Sequence, residues 1–128
     1  MQPATPIRRL AQISVNAHDL ERATAFYRDR LGLRFLFAAG TMAFFDLDGL
    51  RVMLGLPERP EFDHPGSVLY LDVADIAAAH RELADRGVRF EREPHLVARL
   101  AATDLWMAFF RDSEGNLLAI QSEVPRGA

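Results

Sequence analysis

The chain has 128 residues, 49% of them hydrophobic, which is enough for one globular domain with a buried core. Its formal net charge of −3 gives no reason to expect nucleic-acid binding, since proteins that bind nucleic acid usually have a basic patch. It contains no cysteine, which excludes a disulfide framework, a thiolate nucleophile and a cysteine-ligated metal.

The first half of the chain predicts a strand, a helix and three more strands. Residues 10–16 form the first strand. The helix begins at Asp19, whose carboxylate can cap free backbone N–H groups, and ends at Gly32, which suits the left-handed residue past a helix. The later strands are predicted at 34–38, 41–47 and 50–54, with turns at Gly40 and at the Asp48-Gly49 pair.

The second half repeats this pattern. A strand at 67–73 precedes a helix that begins at Asp75 and ends at Gly87. After Gly87, as after Gly32, the chain continues with an apolar residue, an arginine and a phenylalanine. Strands are then predicted at 88–91, 105–111 and 117–122, with a longer loop at 92–103.

The repeat sets the expected domain organisation. Residues 57–66 are polar and proline-rich, which is typical of a linker. We therefore expect a single domain at 1–128, with one βαβββ module at 8–56 and a second at 67–123.

A duplicated βαβββ unit of this size resembles the vicinal oxygen chelate superfamily, which includes glyoxalase I, bleomycin-resistance proteins and extradiol dioxygenases. Residues 19–32 carry the resemblance, together with residues 109–116, which are similar to the "DPDGN" turn of that family. It covers nearly the whole chain, from Arg9 to Glu123. It implies an α+β fold in which two tandem modules form a curled mixed-sheet cup with the helices on its outer face.

The resemblance also implies where metal ligands belong. The family cup usually holds a divalent metal that chelates two oxygens of the substrate. The four ligand positions fall on Gln12, Met53, Val68 and Ala119. Because only Gln12 carries a suitable donor, we expect no cofactor and no metal site of the usual kind. The alternative is zinc, nickel, manganese or iron held by displaced ligands.

Strand alternation predicts which side chains share the cup with these positions. Polar or aromatic side chains at such places suit a small-molecule site. The expected substrate-binding residues are Gln12, Ser14, Asn16, Tyr70, Asp72, Trp106 and Gln121. Trp106 has two interpretations, a core residue or a flat apolar wall for a planar ligand.

Two histidines are the candidate catalytic residues. His64 lies in the predicted linker and His95 in the predicted loop at 92–103, and functional side chains often occupy such segments. Imidazole can act as an acid or a base near neutral pH.

Three functional hypotheses follow. The first is a metal-independent protein that binds a small organic molecule, the second a metal-dependent lyase, isomerase or dioxygenase, and the third a structural dimer without a ligand. We expect a homodimer with a small-molecule ligand and no nucleic-acid partner. Because no apolar run reaches the roughly 20 residues of a membrane span, and residues 1–6 have no long apolar core, we expect a cytoplasmic protein without a membrane partner.

Overall fold

The computed structural model of the protein describes residue 2 and residues 4–126. Residues 1, 3, 127 and 128, which the predicted domain at 1–128 includes, lie outside the described residues. The first unit contains β1 (Gln12–Asn16), α1 (Leu20–Ala25), β2 (Arg34–Ala39), β3 (Met42–Leu47) and β4 (Leu50–Gly55). The second contains β5 (Leu69–Asp72), α2 (Ile76–Asp85), β6 (His95–Arg99), β7 (Thr103–Arg111) and β8 (Leu117–Pro125).

Each unit builds one four-stranded mixed sheet. The strand orders are β1-β4-β3-β2 and β5-β8-β7-β6, so the two sheets have the same topology. In each sheet the first strand pairs in parallel with the last, and the remaining pairs are antiparallel. The predicted α+β fold of two tandem βαβββ modules is confirmed, and the sheets do not close into a barrel.

The helix boundaries follow the predicted capping residues. The side chain of Asp19 accepts a hydrogen bond from Arg22 N at 3.0 Å, and that of Asp75 accepts one from Ala78 N at 3.1 Å. Gly32 and Gly87 adopt φ values of 76° and 94°, as a left-handed residue past a helix requires. Unexpectedly, α1 passes into a π-helical segment, Phe26–Arg30.

Two predictions in the second unit are wrong. Residues 88–91 form no strand, and Phe90 makes only an isolated bridge with Phe110. The predicted loop at 92–103 instead contains β6, because β7 begins early enough to supply an antiparallel partner from His95↔Met107 to Arg99↔Asp104. His95 therefore lies on a strand rather than on a loop.

Side chains on successive strand positions point to opposite faces of each sheet. One face packs against the helices, and both units contribute to a single core of buried residues that includes Val15, Phe45, Phe110 and Ile120. The other face, turned away from the helices, is called the open face below. In the part of the chain that the structure describes, no helix is long and apolar enough to cross a membrane.

Candidate functional site

The turn between β7 and β8 joins the two units. Tyr27 donates its hydroxyl to Asp112 Oδ2 at 2.7 Å, and both residues are buried. Asp112 Oδ1 accepts from the backbone N–H groups of Glu114 and Asn116 at 2.8 and 2.9 Å, as expected for an acidic turn. Burial, reinforced by the Asp112 carboxylate, raises the pKa of Tyr27 above its usual value, so its hydroxyl stays a donor.

Glu114, in the same turn, holds the start of α1. Its carboxylate accepts from the backbone N–H groups of His18 and Asp19 at 2.8 and 3.0 Å and from Arg22 Nε at 2.7 Å. Burial alone would raise the pKa of Glu114, but the hydrogen bonds from Arg22, the two N–H groups and Ser113 outweigh burial and lower it to about 2. Local sequence does not reveal this role of Glu114, because only the fold brings the turn to the helix.

A cleft of about 970 Å³ lies between the end of β1, the linker and this turn. The Asn16 side chain donates to the carbonyl oxygens of Phe62 and His64 at 2.6 and 2.9 Å and so fixes the linker beside the cleft. The structure thus brings together three of the predicted site residues, Ser14, Asn16 and His64. Other cleft residues include Met53, Val68, Arg111 and Leu117.

His64 is oriented within the linker. Its Nδ1 lies 3.0 Å from the carbonyl oxygen of Pro65. Since a carbonyl oxygen only accepts hydrogen bonds, Nδ1 must carry the proton, and in the neutral ring Nε2 keeps a lone pair. His64 therefore has the arrangement of a group that can take up a proton at Nε2.

The open face of the second sheet carries an aromatic row: Tyr70, Phe109 and His95. Tyr70 on β5 and Phe109 on β7 are both in register with Ala119 on β8 between them. Their ring centroids are 6.2 Å apart in an edge-to-face arrangement, and the rings of His95 and Phe109 are 6.3 Å apart. Ala119 is fully buried, whereas Tyr70 is 48% exposed. Tyr70 and Phe109 thus flank Ala119, one of the four positions where the family resemblance implies a metal ligand.

Asp72 and Gln121, also predicted site residues, are in register next to the aromatic row. They follow Tyr70 and Ala119 by two residues and therefore point to the same face. They add hydrogen-bonding groups at one end of an otherwise apolar surface.

Trp106 does not lie on this face. It is in register with Leu96 and Ser122 and packs against the core on the helix side of the sheet. Because side chains alternate along a strand, those of its neighbours Leu105 and Met107 point to the open face. This position agrees with the interpretation of Trp106 as a core residue rather than as a wall of the cup.

The open face of the first sheet is organised around Arg51. Gln12 Oε1 accepts from Arg51 Nε at 2.7 Å, and Gln12 Nε2 lies 3.8 Å from Met53 Sδ. The guanidinium carbon of Arg51 is 5.1 Å from the centroid of the Phe44 ring, which stacks on Phe37 at 4.6 Å. The Gln12 side chain is therefore already hydrogen-bonded to a charged side chain of the protein, that of Arg51.

The register of the two sheets relates the four positions where the resemblance implies metal ligands. Met53 is in register with the residue two positions after Gln12, and Ala119 with the residue two positions after Val68. The two pairs thus occupy equivalent places in the duplicated sheets.

The side chains at these positions do not fit a divalent metal. Val68 and Ala119 have no donor atom, Met53 offers only a thioether, and the Gln12 oxygen already accepts from a guanidinium. A second copy of the chain would bring the same four residues. Residue 2 and residues 4–126 contain no cluster of three His, Asp or Glu residues arranged to hold a metal.

Comparisons with known proteins agree with this fold. No curated protein matches the sequence. A member of the glyoxalase/bleomycin resistance protein/dioxygenase superfamily from Sphaerobacter thermophilus has 25% identity and a TM-score of 0.76, over 91% of this chain and 98% of that one. A lactoylglutathione lyase from Agrobacterium tumefaciens has 21% identity and a TM-score of 0.73, over 91% and 95%. An integron cassette protein from V. cholerae has 17% identity and a TM-score of 0.76, over 93% and 98%.

The model of one family matches most of the sequence, residues 9–120. Together with the duplicated topology, this match shows that the chain belongs to the Glyoxalase/Bleomycin resistance protein/Dioxygenase superfamily.

Proposed function

We propose that this protein binds a planar aromatic molecule against the open faces of its sheets, without the divalent metal that the family usually employs. The proposal rests on one observation: the methyl group of Ala119 is buried beside the rings of Tyr70 and Phe109. A carboxylate at that place would chelate a metal, whereas an apolar surface edged by rings favours another ring.

The surrounding groups suit such a ligand. Small-molecule sites are mostly apolar and contain a few polar groups that fix orientation. Here Asp72 and Gln121 border the aromatic row, and Ser14 lines the cleft. The antibiotic-sequestering members of the family are the analogy for binding without reaction.

Acid–base catalysis on the bound molecule is a second candidate function. It is favoured by His64, whose Nε2 keeps its lone pair beside the cleft. His95 is the second candidate catalytic residue, as a proton donor. Its Nδ1 accepts from Arg92 Nε at 3.3 Å, which leaves Nε2 of the neutral ring as a donor.

We also propose that the protein is a homodimer. Supporting this, the outer strands β2 and β6 carry exposed apolar side chains, including Phe37, Leu96 and Val97. Light scattering coupled to size-exclusion chromatography tests the proposal, and a single species with the mass of one chain would contradict it.

Calorimetric titration with 2-naphthamide, a neutral planar probe, tests the binding function. We expect Tyr70→Ala and Phe109→Ala each to weaken binding at least about 2- to 12-fold, since an aromatic contact contributes about 0.5–1.5 kcal/mol beyond buried area. Tyr70→Phe, which keeps the ring, should bind like the wild type.

Elemental analysis of the purified protein tests the second part of the proposal. We expect far less than one zinc, nickel, manganese or iron per chain. Stoichiometric metal that is lost in the Gln12→Ala variant would contradict the metal-free site.

The binding experiment also distinguishes the third hypothesis. No binding of 2-naphthamide or related planar compounds at high concentration would favour a purely structural role.

A further inference from the structure

We infer that Arg51 is the anion-binding group of this site, so that the ligand class is an aromatic compound bearing a carboxylate. This inference rests on the proposed function and adds the charge of the ligand to it. The positive charge that relatives supply with a metal ion is here supplied by a side chain.

Two contacts orient the Arg51 side chain. Its Nε donates to Gln12 Oε1 at 2.7 Å, and its guanidinium lies over the Phe44 ring at 5.1 Å. The ring is itself supported by Phe37, stacked at 4.6 Å. A guanidinium restrained at Nε and across its plane loses less conformational freedom when it binds a ligand.

Both Nη groups of Arg51 remain available to a ligand. Within the described part of the chain, its side chain makes no hydrogen bond other than the one to Gln12 and no ion pair. Guanidinium N–H groups bind carboxylates as a fork, with two parallel hydrogen bonds. The free end of Arg51 therefore matches the two oxygens of a carboxylate.

The neighbouring carboxylate does not neutralise this cation. Asp46 on β3 is in register with Arg51, but its Oδ1 accepts from Gly49 N at 3.2 Å, and the pair makes no ion pair among the described residues. On its other side Asp46 is in register with Arg34. Two guanidinium groups against one carboxylate leave this row of the open face with a net positive charge.

Arg51 lies on the open face of the first sheet, together with two residues that line the cleft. Met53 follows Arg51 by two residues on β4 and lines the cleft, as does Ser14 opposite it on β1. Gln12, which the family resemblance marks as a metal-ligand position, acts here as a positioning residue for Arg51.

The test compares 2-naphthoate with 2-naphthamide, which have nearly the same shape but differ in charge. In calorimetric titrations of the full-length protein we expect the carboxylate to bind at least about 10-fold more tightly, which corresponds to about 1.4 kcal/mol. Arg51→Gln should bring the two affinities together by weakening binding of the carboxylate. Arg51→Lys, which keeps the charge but not the fork, should retain only part of the preference.

Two further variants separate positioning from general charge effects. Gln12→Ala should reduce the preference for the carboxylate, measured as the ratio of the two affinities, because it releases Arg51 Nε. Arg81→Gln, which removes the same charge from the exposed surface of α2, should leave both affinities unchanged. Circular dichroism confirms that each variant is folded.

The outcomes distinguish this inference from the proposed function. If neither compound binds, the proposed aromatic site is wrong, and this inference fails with it. If both bind equally to the wild type, or if Arg51→Gln keeps the preference, only the role of Arg51 is contradicted.

Discussion

The hydroxyl of Tyr27 and the carboxylate of Asp112 form a buried hydrogen bond of 2.7 Å across 85 residues of sequence. One residue belongs to the helical part of the first unit and the other to the β7–β8 turn of the second. The polar turn between two apolar strands thus has a structural task beyond closing a hairpin, because it fixes the two units against each other.

Removal of the Tyr27 hydroxyl tests this bond. We expect Tyr27→Phe to lower the free energy of unfolding by about 1.5–3 kcal/mol, the range for a hydrogen bond to a charged group. Urea denaturation measures the difference. The control is Tyr70→Phe, which removes a hydroxyl from a half-exposed ring and should change stability by less than about 0.5 kcal/mol. Equal losses in both variants would contradict a special role for the buried pair.

Glu114 makes the stability of the protein depend on pH in the acidic range. Its folded-state pKa of about 2 lies below the ordinary value of 4.5, so its stabilising contribution is complete above pH 4.5 and is lost as the pH falls towards 2. We expect Glu114→Gln to cost up to about 3 kcal/mol at pH 7 and little near pH 2. Denaturant unfolding across this range measures both limits.

The control for Glu114 is Glu61, whose ion pair with Arg59 is exposed. Glu61→Gln should leave stability nearly unchanged at every pH, because exposed ion pairs contribute little. A loss for Glu114→Gln that is the same at pH 2 and pH 7 would show that packing, not charge, is responsible.

Ser122 is a site where the protein should gain stability. The residue is 2% exposed, and its Oγ has no hydrogen-bond partner among the residues that the structure describes. Burying an unpaired hydroxyl is unfavourable, so Ser122→Ala should raise the free energy of unfolding by about 1 kcal/mol. Thermal unfolding measures the gain. A clear loss would reveal a bond to Oγ that the substitution breaks.

Metal ligands can be introduced at the assigned positions. Val68→His combined with Ala119→Glu adds an imidazole and a carboxylate to the Gln12 amide. We expect zinc to raise the melting temperature of this double variant but not of the wild type. The larger side chain at the buried position 119 should cost about 1–3 kcal/mol without metal.

The matched control carries Val68→Asn and Ala119→Gln, which have similar bulk but are poor zinc ligands. It should lose comparable stability and show no response to zinc. If the His/Glu variant takes up no metal although it is folded, the four positions do not converge as the family resemblance implies.

The sequence predicted those features that depend on neighbouring residues. Asp19 and Asp75 begin their helices, and Gly32 and Gly87 end them, because capping needs only atoms a few residues away. The repeat then predicted the succession of strands and helix along each unit, apart from β6. That strand follows the charged segment Glu91-Arg92-Glu93, and its stability comes from pairing with β7, which local sequence does not reveal.

The organisation of the candidate site depended on longer separations. Gln12 and Arg51 lie 39 residues apart, and only the parallel pairing of β1 with β4 places them side by side. The edge-to-face contact of Tyr70 and Phe109 likewise requires the register of three strands. Alternation correctly put polar side chains of β1 on one face, but it did not show that Gln12 and Asn16 already have partners within the chain.

Noncovalent bonds join the two units, among them those of Tyr27 to Asp112, of Glu114 to the start of α1, and of Asn116 to the Asn16 carbonyl. None of them involves the linker backbone, so the halves should recognise each other as separate polypeptides. Fragments cleaved in the linker should therefore reassemble by complementation. Each half would then carry its own part of the surface through which the two halves associate.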